Sequence, residues 1–199
     1  MKYIKIIASF ALLTNIIFAD AQDNLHEHIE NGKFYGIFPV TENFVGYTDS
    51  LALIGSLNKD SLYDKAKVFF EQKEDANYYF ESEDRETGEL VYQGELNKGI
   101  LSDNPDVHFS VALHFLDSIC TIRLFEIVIV SKKEQYSSTV NFMNRGVPMN
   151  PGTVKTGVQE TPTQLENITI GKGEFSKRYC EKINNRFISI VNGLRTAFL

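Results

Sequence analysis

The chain has 199 residues, with 20 basic against 26 acidic side chains and a net charge of −6. That balance speaks against a nucleic-acid partner, because such binding depends on lysines and arginines that displace counterions from phosphates. The adjacent basic pairs, Lys132 with Lys133 and Lys177 with Arg178, suit ordinary solvated faces, and the length suits one domain with a sizeable core.

Residues 1–21 have the parts of a cleavable secretory signal peptide: a basic start at Lys2 and Lys5, an apolar run over residues 6–18, and the small-residue triplet Ala19-Asp20-Ala21. The apolar run is short of the roughly 20 residues that a membrane span needs. Cleavage after Ala21 would leave Gln22 first in a periplasmic or secreted chain with no membrane span. Losing Lys2, Lys5 and Asp20 with the signal takes the net charge to −7. An oxidising compartment would permit a disulfide between Cys120 and Cys180, and two buried free thiols are the alternative.

The mature start, residues 22–33, is polar and aperiodic and reads as a flexible lead-in to a single domain over residues 34–199. Residues 44–54, aromatic and β-branched, predict a strand ending at Gly55. Asn58 is a candidate N-cap for a helix over Lys59–Gln72, with Leu62, Ala66, Phe69 and Phe70 on one apolar stripe. Four strands are expected next, at Ala76–Asp84, 89–97, 107–116 and 119–131. The first two are joined through Gly88, which can take the positive φ of a tight turn.

Strict alternation over 107–116 predicts one buried and one wet sheet face. In the next strand both parities turn apolar from Phe125, apart from Glu126, which predicts a bulge. Residues 141–163 hold Pro148, Pro151 and Pro162 with Gly146, Gly152 and Gly157, and read as a long Pro/Gly-rich loop or inserted arm. A final helix over 174–198 carries the stripe Phe175, Tyr179, Ile183, Phe187, Ile190, Val191 and Leu194. The pattern predicts an α+β domain: an antiparallel sheet of about five strands with two helices packed on one face.

The run Ser61-Leu62-Tyr63-Asp64-Lys65-Ala66-Lys67, with Glu83-Asp84-Arg85-Glu86-Thr87-Gly88-Glu89-Leu90 and Gly94, resembles an exported bacterial domain of unknown function with a TATA-binding-protein-like fold. The match spans residues 34–132. It departs from the family where a tryptophan late in the first helix is replaced by Phe69 or Phe70. The resemblance implies this fold and a Gram-negative habitat. It implies no chemistry and no DNA binding, since fold does not fix function.

Candidate chemical groups have plain structural explanations. His26-Glu27-His28 lies in the lead-in without a third rigid ligand. His108 and His114, six residues apart on one strand, lie about 20 Å from each other, too far to share an ion. The acidic residues 81–86 do not follow calcium-loop spacing. Gly171-Lys172-Gly173 lacks the third glycine of a dinucleotide loop, and no metalloprotease or nucleophile-elbow motif is present. Three Asp-Ser triplets, at Ser50, Ser61 and Ser118, match an O-glycosylation pattern that also arises by chance.

No metal ligands, catalytic residues or cofactors are therefore assigned. The expectation is non-catalytic binding of a protein or small-molecule partner in the cell envelope, on the open sheet face that carries Tyr79, Val91, Gln93, His108, Ser110, His114, Thr121 and Arg123. The alternative is an enzyme of unrecognised type, for instance a hydrolase, with its site under the 141–163 arm. A deep polar pocket would favour the enzyme and an open sheet the binding domain.

Overall fold

The computed structural model describes residues 25–41, 44–53, 59–72, 76–96, 105–116, 119–139, 152–171 and 175–198. The signal segment, Asn58, Ser118 and residues 141–151 of the arm lie outside them. Ten strands and two long helices are described: β1 (Ile29–Glu30), β2 (Lys33–Phe34), β3 (Phe38–Thr41), β4 (Phe44–Val45), β5 (Tyr47–Ala52), α1 (Lys59–Gln72), β6 (Ala76–Asp84), β7 (Glu89–Leu96), β8 (Asp106–Leu116), β9 (Ile119–Thr139), β10 (Gly152–Gln164) and α2 (Lys177–Phe198). A 3-10 turn at Leu165–Asn167 follows β10.

The α+β class holds, with all strands antiparallel, but the strand count does not. The main sheet has six strands, in the order β10-β9-β8-β7-β6 with β5 also on β9, and β1 to β4 form a second, four-stranded sheet. The small strands escape periodicity because most hold only two residues. The polar lead-in is likewise structured from Leu25 onward: residues 25–27 form a helical turn, and β1 pairs with β2. Leu25 and Phe34, both fully buried, anchor this segment to the core. Burial of apolar area outweighs the polar composition of its other positions.

The same competition explains the expected loop. From Gly152 the chain is strand β10, paired with β9 from Val128 to Thr139. Its Pro162 and two glycines read as breakers, yet β10 is the outer strand of its sheet. A proline that cannot donate to a ladder is tolerated at such an edge. Since β8 pairs with β9 only as far as Val130, the outer part of β9 and β10 is a two-stranded ribbon. The described part of the segment is therefore a strand of a ribbon and not a loop.

Alternation decides which sheet face is buried. Val107, Phe109, Val111, Leu113 and Phe115 of β8 and Cys120, Ile122 and Leu124 of β9 are all within 2% of full burial. At Glu126, φ is +52° and the β8–β9 register shifts. That bulge moves the buried parity to Ile127 and Ile129. Both helices cover this face. Phe187 of α2 packs against Tyr47 and Phe109 at ring separations of 5.5 and 5.1 Å, and Phe115 lies between Tyr63 of α1 and Phe198 of α2 at 5.2 and 5.6 Å. Among the described residues no helix is long and apolar enough to cross a membrane.

Cys120 and Cys180 are both free and buried. Cys120 pairs with Phe115, which packs on Phe198, whereas Cys180 lies 18 residues earlier in the same helix. At 1.5 Å per residue that is about 27 Å of helix, far beyond the reach of a disulfide. Burial pushes both thiols up to about 12, so neither is a ready nucleophile.

Candidate functional site

The face of the main sheet opposite the helices is built from rows of directly paired residues. One row runs Tyr79, Gln93, Ser110, Phe125; the next Val91, Ala112, Arg123, Thr48; a third Glu89, His114, Thr121, Ser50. With neighbouring strands about 4.8 Å apart, members of a row touch or nearly touch. The structure thus places Tyr79, Gln93, His108, His114 and Arg123 on one face. Tyr79 is 57% exposed, Gln93, His108 and Arg123 are exposed, and His114 is half-buried. Ser110 and Ala112 are exceptions to the expected wet parity: both are buried, and the Ser110 hydroxyl donates to Glu126 Oε2 at 3.0 Å.

These residues divide into separate groups. His114 and Arg123 border a shallow depression of about 230 Å³ with Asp84, Glu89 and Thr121. His114 Nε2 donates to the Thr87 carbonyl oxygen at 3.0 Å, tying the depression to the β6–β7 turn. Tyr79 and Gln93 lie one row beyond Val91. His108 lies at the far end of the face, paired with Glu95 and Val128.

A second cavity, of about 250 Å³, lies where the edge of β9 changes partner. β5 pairs with β9 up to Leu124, β10 pairs with it from Val128, and the bulge falls between. Arg123, Phe125, Glu126, Phe44, Thr48 and Glu166 are among its walls. The Arg123 guanidinium lies 5.6 Å from the centre of the Phe125 ring, a cation–π contact. Glu166, on the 3-10 turn, is buried and accepts the Val45 N–H at 2.8 Å. Burial holds its carboxyl above the usual range, and the Val45 N–H opposes that shift.

Arg123 lines both depressions, and with Thr48 and Phe125 it joins the rows of the open face to the seam. Nothing in the sequence pointed to Glu166, Phe44 or Thr48. They enter through the partner change along β9, and the one local sign of it was the charged Glu126 inside an apolar run.

No family model matches the chain, and no curated protein matches it. Two solved structures resemble it. A DUF4468 family protein from Bacteroides ovatus ATCC 8483 is 12% identical, with 81% of this chain and 90% of that chain covered at a TM-score of 0.45. A TBP-like protein from Parabacteroides distasonis ATCC 8503 is 14% identical, with 79% and 92% covered at a TM-score of 0.46. These descriptions, a DUF4468 family protein and a TBP-like protein, are consistent with the resemblance read from the sequence. Neither likeness bears on what the chain does.

Proposed function

We propose that the chain is an exported, non-catalytic binding domain that recognises a partner or ligand in the cell envelope on its open sheet face. The observation that carries this reading is the arrangement of that face: Tyr79, Gln93, His114 and Arg123 share a surface that neither of the two long described helices covers, with Arg123 between two depressions. Aromatic rings and arginine are the groups that recognition surfaces favour. The seam cavity adds Phe44, Phe125 and the other side of Arg123 to the same recognition surface. Export rests on the signal-like residues 1–21.

The test uses the protein recovered from its host as bait against envelope extract, beside a Tyr79→Ala, Arg123→Ala double variant. The reading expects recovery from the envelope or medium with Gln22 at the N-terminus, and partners or ligands captured by wild type that the double variant loses. Recovery from the cytoplasm with Met1 intact would overturn export. An unchanged set of captured molecules would overturn the face as the binding surface.

A further inference from the structure

At the far end of the open face, three side chains with metal-ligating atoms converge. Asp106 and His108 occupy alternate positions of β8 and so project to the same side, and Glu95 of β7 pairs directly with His108. One ligand atom from each, two carboxylate oxygens and an imidazole nitrogen, lie within 4.8 Å of one another. Two such atoms bound to one zinc ion at 2.0–2.1 Å in tetrahedral array would be roughly 3.4 Å apart. The separations exceed that by at most about 1.4 Å, the distance that rotation of the solvent-side Glu95 and His108 side chains would have to close.

We propose that Glu95, Asp106 and His108 form a binding site for a divalent first-row transition ion, with water completing the coordination. Asp106 is 7% exposed and therefore fixed by its surroundings, whereas His108 is exposed and Glu95 half-buried. One rigid ligand with two on the solvent side leaves room for water at the open positions. A mixed nitrogen and oxygen set favours zinc or a neighbouring ion. Calcium takes six to eight oxygens, and magnesium keeps an octahedral oxygen shell.

The Lys132 ammonium bears on the same site. It is ion-paired with Asp106, and it lies 3.4 Å from Glu160 across the β9–β10 ladder. An arriving cation takes over the neutralisation of Asp106, and the ammonium keeps Glu160. Lys132 is thus a resident competitor with a second partner at hand. The two histidines of this face lie far apart, so the sequence suggested no chelate. The second and third ligands come from a neighbouring strand and from the position two residues earlier, and only the β7–β8 register joins them. The proposal is independent of the binding role suggested for Tyr79 and Arg123.

The experiment is calorimetric titration of zinc chloride into the untagged full chain, with circular dichroism confirming that each variant is folded. Wild type should take up one equivalent. Glu95→Gln and His108→Ala should each weaken binding by roughly tenfold or more, at least the loss that follows damage to a ligand's surroundings. Lys132→Met should tighten it, and a His26→Ala, His28→Ala variant should bind as wild type does. Asp106 is buried and its substitution risks the fold, so the decision rests on the two more accessible ligands. No zinc uptake by wild type, or unchanged affinity in both folded Glu95 and His108 variants, would overturn the site. Weaker binding by Lys132→Met would overturn the exchange.

Discussion

Gly94 and Gly88 are both closed to a Cβ by a residue of β8, and Gly88 in addition holds a positive φ. A Cβ on Gly94 would fall 2.3 Å from the ring of Phe109, its cross-strand partner. Phe109 cannot retreat, because it is 2% exposed and its ring sits 5.1 Å from that of Phe187. Gly94→Ala should therefore cost about 1 to 3 kcal/mol, the usual penalty for overfilling a packed core. A lowered urea midpoint would register it, and an unchanged midpoint would contradict the packing. Gly88 sits at φ +87°, in the turn where Asp84 accepts the N–H groups of Glu86 and Thr87. Those bonds hold the Asp84 carboxyl below the usual range. The turn glycine was legible because a tight hairpin demands it locally. Gly94 was not, since its constraint comes from a residue on another strand.

Among the elements, β9 was legible and β10 was not. The apolar run after Phe125 announced a bulge, and Glu126 carries it. β10 hides its pairing behind Pro162, Gly152 and Gly157, and an edge ladder against β9 overrides those local signals. The seam between β5 and β10 depends on that hidden strand, so Glu166 could not have been assigned from the sequence. Its carboxyl is raised in the folded chain by burial, which means the folded form binds its proton more tightly than the unfolded form. Stability from this group is therefore lost as pH rises from the ordinary glutamate range through the raised value. Glu166→Gln keeps an acceptor for the Val45 N–H and carries no charge. The variant should gain stability relative to wild type at neutral pH, and the gain should shrink on acidification through that window. Urea unfolding at the two pH values measures this, and a gain independent of pH would contradict the assignment.

For the whole molecule, the division into a helix-covered and an open sheet face follows from alternation along β8 and from the apolar stripes of α1 and α2, all present in the sequence. The alternation placed Tyr79, Gln93, His108, His114 and Arg123 together without the strand order. It could not divide them into depressions, because that requires the register of every ladder. The most direct measurement of the central claim uses Gln93, exposed near the middle of the open face. A Gln93→Cys variant should react with a bulky maleimide in the native state while Cys120 and Cys180, both buried, stay unmodified. The labelled protein should lose the partners or ligands captured by wild type. Failure of the introduced thiol to react, or undiminished capture after it has reacted, would contradict the open face as the recognition surface.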